Sequence, residues 1–503
     1  MSIAGCDGSD DRQGALRQAV GEIPAWLWFG VGLFVLSVIA GNRALQDADT
    51  YWHIAVGQWI IDHRALPTVD VYSFTKHGAP WISSSWLAQV LYAAAYGLAG
   101  WAGPVMLASL GIAAAYALLL HILSRHFTPV HATIVAMVAT VLSASHFLVR
   151  PHVLALPVMV AWVQGLVGAS DDRRAPSLWL LPLIALWANL HGGFVLGLAL
   201  VAPFALDALW NADADQRVML AVRWAAFGAG ALIASCLTPY GWHSLLAARQ
   251  ILDLGGALAL IPEWQPIDFS HLDVFEIGLL AAMALLFWRG IVLSPTRILL
   301  VLGLLHMALS HTRNIEVLAL LAPLVLARPL AAQLAPAAVA RASSGSGWIG
   351  SAVVVALVGM AMVAFTARYP YSPMAPQTPT AAVEVLKARK AQRIFHGPGF
   401  GGYLIWSGMP VFIDGRAELY GERFVVDALQ ALALKNVGAF LSLLDTYRID
   451  AVLLSPAALP VQLLDRLDGW ERVQADDKAV VYLRNPAAVH AREPRVKAEG
   501  IAR

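Results

Sequence analysis

Charge is scarce in this chain. Asp, Glu, Lys and Arg make up 13% of 503 residues, about half the share of an ordinary soluble globular chain. The 34 basic and 33 acidic residues leave a net charge of +1, and no run of Lys or Arg occurs. A nucleic-acid partner is therefore not expected. Cysteine is almost absent. Cys6 lies in a polar N-terminal stretch and Cys236 inside an apolar run, so no disulfide, no metal-binding Cys pair and no redox pair is expected. No fixed-period internal repeat is found, which weighs against the inverted-repeat plan of many transporters.

Apolar runs are abundant. Hydrophobic residues reach 58%, and stretches of about 18 or more, the length that crosses a bilayer, recur along the chain. The first, "IPAWLWFGVGLFVLSVIAG" (23–41), ends in a small-residue pattern resembling a signal cleavage site. The preceding segment, with Asp7, Asp10, Asp11, Arg12, Arg17 and Glu22, is long and mixed in charge, so an uncleaved first span is expected. Further spans are predicted near 103–124, 130–148, 151–169, 176–190, 192–210, 218–238, 273–289, 294–310, 313–333 and 347–367. The stretch 83–100 is short for a crossing. If it lies against the outer face, Arg125, Arg173, Arg174, Arg217, Arg223, Arg289, Arg297 and Arg341 all fall at cytoplasmic ends, as the positive-inside rule requires. This gives about 11 transmembrane helices, with the N-terminus inside and the C-terminus outside.

The expected organisation is a cytoplasmic tail (1–23), a transmembrane domain (24–367) whose first outer loop covers 42–102, a Pro-rich linker (368–380), an outer α/β domain (381–488) and a disordered tail (489–503). The α/β reading rests on short β-like runs, "RIFH" (393–396), "VFID" (411–414), "AVLLSP" (451–456) and "AVVYLR" (479–484), alternating with helical patterns. "GPGFGG" (397–402) formally fits a dinucleotide fingerprint, but the next strand comes too soon for the helix that motif needs. A tight turn is expected there. In "FIDGRAELYGE" (412–422), Asp414, Arg416, Glu418 and Tyr420 read chiefly as a structural ion-pair group.

The fold class is thus an all-α polytopic membrane bundle with a small extramembrane α/β domain. Ionisable groups near hydrocarbon are costly and are functional candidates by default, and the topology gathers many of them on the outer side. "ALQDADTYWHIAVGQWI" (44–60) holds Asp47, Asp49 and His53; "FLVRPHVL" (147–154) holds Arg150 and His152; "WANLHGGFVLG" (187–197) holds His191; "LTPYGWH" (237–243) holds Tyr240; "PEWQP" (262–266) holds Glu263; "ALSHTRNIEVL" (308–318) holds His311 and Arg313. Each has a plainer reading. Asp49 could cap the helix beginning near Tyr51, the arginines could be interfacial anchors, and a histidine at a helix end could be a structural hydrogen-bonder. Together they suit an anionic, phosphorylated substrate. A D-x-D pair can hold a divalent cation such as Mg2+ or Mn2+, or one carboxylate can take a proton from a hydroxyl. His53, one turn from Asp49, could share its face. Arginines neutralise a leaving phosphate.

These segments, with "PWISSSWLAQVLY", "GGYLIW" and "FIDGRAELYGE", resemble membrane glycosyltransferases of the GT-C fold, among them protein O-mannosyltransferases, oligosaccharyltransferases and the aminoarabinose transferase of lipid A. They are most similar to an uncharacterised bacterial group of that plan. The resemblance implies a polyprenyl-phosphate sugar donor, a glycan, lipid or protein acceptor in the cell envelope, a catalytic first-loop acid at Asp47 or Asp49, and a place in the bacterial inner membrane. The alternative expectation is a transporter or flippase of a lipid-linked saccharide.

Overall fold

The computed structural model describes residues 23–334, 348–373 and 378–485. Cys6, all but the last residue of the expected N-terminal tail, the middle of the linker and the tail beyond 488 lie outside the described residues.

Helix starts follow local chemistry. Thr128, Asp273 and Ser294 each cap the helix that follows them, accepting hydrogen bonds from the backbone N–H of His131, Glu276 and Arg297. Proline at the first helical position is preorganised for a helix start, and Pro129, Pro151 and Pro295 sit there. Pro151 has a second effect. A residue before proline is driven into the extended region, and Arg150 sits at φ −129° and ψ 155°. Its side chain therefore leaves the helix line at the break between two spans.

Among the described residues, seven helices are long and apolar enough to cross a membrane: Ala102–Leu123, Pro129–His146, Pro151–Asp171, Phe194–Asn211, Arg217–Ser235, Thr312–Leu334 and Ile349–Arg368. The expected figure of about 11 is not reached by length alone. Ala25–Ile39, Leu178–Leu190 and Pro295–Ser310 are apolar but shorter, cut by breaks at Pro24, His191 and His311. Trp86–Ala99 has 14 residues, about 21 Å of helix against roughly 30 Å of hydrocarbon. It packs along Asp49–His63 in the first loop.

Ala102–Leu123 and Pro151–Asp171 form the centre of the bundle, burying Ile112, Tyr116, Leu119, Val160, Trp162 and Leu166. Two charge clusters mark opposite ends of Pro151–Asp171, about 30 Å apart for its 21 residues. At one end stands Arg150. At the other, buried Arg297 pairs with Asp171 and, at 3.0 Å, with Asp207. Arg297, expected at a cytoplasmic span end, is buried in an ion pair at the end of the helix opposite Arg150. Removing one partner of such a pair strands the other charge, so Arg297→Ala should cost about 3–5 kcal/mol, measurable by thermal unfolding in detergent.

The C-terminal region carries a four-stranded sheet of order β1-β2-β4-β3. These strands are β1 (Ile394–His396), β2 (Ala451–Leu454), β3 (Trp470–Ala475) and β4 (Val480–Arg484). β1 and β2 are parallel and the other pairs antiparallel. The helices Pro398–Trp406, Glu422–Leu432 and Val437–Thr446 fill the crossover between β1 and β2; the last two pack around a core that includes Phe395, Phe412, Phe440 and Tyr482, while Phe400, Leu404 and Ile405 of the first pack with Trp52, Val56 and Trp81 of the first loop. Two local expectations are corrected. "GPGFGG" is not a tight turn: Pro398 opens a helix that runs through it. "VFID" is not a sheet strand, because Val411 makes one isolated bridge, to Ser73 of the first loop.

Candidate active site

The first loop is pinned to the break between spans. Val149 N–H donates to the Ala44 carbonyl at 2.9 Å, Thr50 Oγ1 donates to the Val149 carbonyl at 3.0 Å, and Tyr92 Oη donates to the Arg150 carbonyl at 2.9 Å. These bonds hold the Arg150 guanidinium over the acidic loop. Its Nη2 meets Asp49 Oδ2 at 2.9 Å, its Nη1 meets Glu263 Oε2 at 2.7 Å, and its Nε pairs with Asp47. Three carboxylates from two distant stretches thus converge on one guanidinium, the fork geometry that arginine suits and lysine does not.

The two aspartates are not equivalent. Asp47 is 8% exposed at its side chain, and its Oδ1 accepts the Asp49 backbone N–H at 2.8 Å. Asp49 is the first residue of its helix, so it is not the cap. It keeps 24% exposure, and its Oδ1 accepts the Trp52 indole N–H at 3.0 Å. Removal from water pushes Asp49 up to about 7; Arg150 opposes that rise and the nearby Asp47 adds to it. Glu263 goes the other way. Burial would raise it, but Arg150 and Arg313 together outweigh burial and hold it below the usual carboxylate range.

Beside this cluster lies a cavity of about 340 Å³. Arg150, His152, His191, Glu263, Arg313 and Glu316 line its polar part, while Leu156, Met159, Val195, Leu196, Met307 and Val317 line the rest. Arg313 Nη1 reaches Glu263 Oε1 at 3.5 Å, and its guanidinium lies 4.4 Å from the Trp264 ring centre. His152 Nε2 is 3.6 Å from Glu316 Oε2, and its ring centre is 6.2 Å from that of His191.

Five predicted residues do not line the cavity: Asp47 and Asp49, which meet it through Arg150, and His53, His311 and Tyr240. His53 is buried, with Nδ1 bonded to Gln89 Nε2 at 3.1 Å rather than to Asp49. Burial, with the charge of Arg150 in support, lowers its pKa well below the ordinary histidine value, so it is neutral. His311 Nδ1–H donates to the Trp264 carbonyl at 2.7 Å, and so orients the Glu263 turn. Tyr240 Oη donates to the Pro67 carbonyl at 3.0 Å, bracing the first loop. Asn314 and Glu316, which share the turn with Arg313, also line the cavity, as does His146, which had not been noted among the candidates. His146 lies six residues before His152 across the same break, a spacing that offered a signal.

The D-x-D pair carries the oxygen donors that Mg2+ or Mn2+ would take. Here both carboxylates are turned onto Arg150, whose guanidinium fills the space between them. Among the described residues no group of three or more His, Cys, Asp or Glu side chains is disposed to hold a metal ion. The residues as arranged do not fit a cation, and no chemical step is assigned to one.

No protein-family model matches the sequence, and no curated protein matches it at a significant level. Solved structures do match. The archaeal oligosaccharyltransferase AglB from Archaeoglobus fulgidus, in complex with an inhibitory peptide and a dolichol-phosphate, superposes with a TM-score of 0.52 at 11% identity, over 85% of this chain and 69% of that one. The fold is that of the GT-C membrane glycosyltransferases. ArnT from Cupriavidus metallidurans in the apo state matches at a TM-score of 0.46 and 14% identity, over 90% of this chain and 97% of that one.

Proposed function

We propose that the protein is a GT-C glycosyltransferase. It moves a sugar from a polyprenyl-phosphate donor to a hydroxyl-bearing acceptor of the cell envelope, at the outer face of the bacterial inner membrane. One observation carries this reading: a guanidinium clamped by Asp47, Asp49 and Glu263 at the polar end of a cavity whose remaining wall is apolar. Such a cavity suits an amphiphile, with the lipid tail on the apolar wall and the phosphate near Arg313 and Arg150. The sequence left the catalytic acid at Asp47 or Asp49; the greater exposure and raised pKa of Asp49 favour Asp49, with Asp47 fixing Arg150. The acceptor oxygen attacks the anomeric carbon while its proton passes to the Asp49 carboxylate. The bond from that carbon to the phosphate oxygen breaks, and its electron pair stays on the phosphate beside the arginines.

The test is transfer of a labelled sugar from polyprenyl phosphate in proteoliposomes. Movement of the intact lipid-linked sugar across the bilayer with no bond broken would replace this reading with that of a flippase. Arg313→Ala should raise the donor KM roughly 10- to 100-fold, the loss of one charge-assisted contact of about 1.5–3 kcal/mol, with a smaller change in kcat.

The pH dependence follows from Asp49. A base must be ionised to accept a proton, so the rate should plateau above pH 7 and fall as pH drops through about 7. Removing the charge of Asp47, which helps raise Asp49, should move this limb to lower pH in Asp47→Asn. Stability should show the opposite trend. The folded chain holds the Asp49 proton to about pH 7 and the ordinary carboxyl only to 3.8, so this group reduces stability as pH rises across that window.

A further inference from the structure

Gly402 and Gly415 of the C-terminal domain have backbone angles open to any residue, since neither is among the glycines with positive φ. Space, not conformation, explains them. A Cβ on Gly402 would lie 2.1 Å from the Ala48 carbonyl oxygen, and a Cβ on Gly415 would lie 2.1 Å from Asp49 Oδ1. The nearest atoms to Gly415 all belong to the Asp49 carboxylate, which is already held by Trp52 and Arg150. The domain cannot easily back away. Next to Gly415, the fully buried Arg416 bridges Asp70 of the first loop at 2.8 Å and Asp414 at 2.6 Å, and its guanidinium lies over the Trp81 ring of the same loop, 4.6 Å from the ring centre. Thr75 Oγ1 also donates to the Phe412 carbonyl at 2.7 Å.

We propose that Gly402 and Gly415 form a seat that positions the Asp47–Asp49 loop, so that the C-terminal domain sets the orientation of the acid that deprotonates the acceptor. The inference rests on the glycosyl-transfer reading and adds a role for this domain. Gly415 is a positioning residue. A methyl group there must push the Asp49 carboxylate off its partners, and a misplacement of about 1 Å at a reacting group costs roughly 100-fold in rate.

The experiment uses the full chain in detergent and in proteoliposomes. Gly415→Ala should lower kcat roughly 100-fold with the donor KM unchanged, because Arg313 and the apolar wall are untouched. It should also lower the thermal unfolding midpoint. Asp49→Ala clears the space, so adding Gly415→Ala to Asp49→Ala should leave the midpoint of Asp49→Ala unchanged. Parental kcat in folded Gly415→Ala would overturn the proposal. So would a midpoint penalty that persists in the Asp49→Ala background. If Gly415→Ala alone fails to fold, rescue by Asp49→Ala supports the seat and failure of rescue overturns it. Absence of transfer by the parent protein counts against the glycosyl-transfer reading alone, because the midpoint comparison still reads the contact.

Discussion

Asp49→Asn is expected to lower sugar transfer roughly 1,000-fold, the middle of the range for loss of a general base, while donor binding stays near parental. The substitution keeps the shape of the side chain and its place beside Trp52 and Arg150, so the loss reports proton acceptance rather than collapse of the loop. The measurement is a single-turnover rate with preloaded donor, paired with a direct binding assay for polyprenyl phosphate. Asp47→Asn should differ in kind. Asp47 is nearly buried, bonded to the Asp49 backbone and paired with Arg150; its loss disturbs the orientation of the cluster and moves the pH limb as well. Transfer that survives unchanged in both variants would eliminate the first-loop acids from the chemistry.

The second large effect is expected at Arg150. Arg150→Ala leaves Asp47 and Asp49 facing each other without a counter-charge, and Glu263 with Arg313 alone. Stranding buried charges in this way costs about 3–5 kcal/mol. The lower end applies here, because the Arg150 side chain is 21% exposed and water screens part of the interaction. Transfer should be lost together with stability. Arg150→Lys restores a positive charge but not the planar fork whose three separate nitrogens each reach a different carboxylate, so it should recover part of the unfolding midpoint and little of the rate. Thermal unfolding in detergent and the transfer assay on the same preparations separate the two losses. If Arg150→Ala keeps the parental midpoint, the guanidinium does not hold the first loop to the span break.

The residues that control these two predictions were legible one at a time. An X-Pro pair interrupting an apolar run marks a break with Arg150 on it, because the restriction that proline places on its predecessor is local. Asp47 and Asp49 stand out because carboxylates are scarce beside a long apolar run. What could not be read was their pairing. Arg150 lies 101 residues from Asp49 and 113 from Glu263, and no periodicity connects residues at that separation. The same limit explains His53, whose helical spacing from Asp49 suggested partnership. Gln89, from the neighbouring helix, took its ring nitrogen instead.

By itself the sequence determined the membrane-spanning character, the breaks between helices and the strands at 394–396, 451–454 and 480–484, because hydropathy, capping and alternation act over a few residues. It also misread two segments of the C-terminal region. "GPGFGG" is glycine-rich enough for a turn, and "VFID" is β-branched enough for a strand. In the folded chain the first is a helix that meets the acidic loop at Gly402, and the second lies along the first loop through Val411. Only the tertiary structure decided which acid stands exposed, which histidines face the cavity, and that a pair of glycines abuts the Asp47–Asp49 loop. Those outcomes depend on burial and charge contacts between distant stretches of chain, and such terms are set by the packing of the whole molecule.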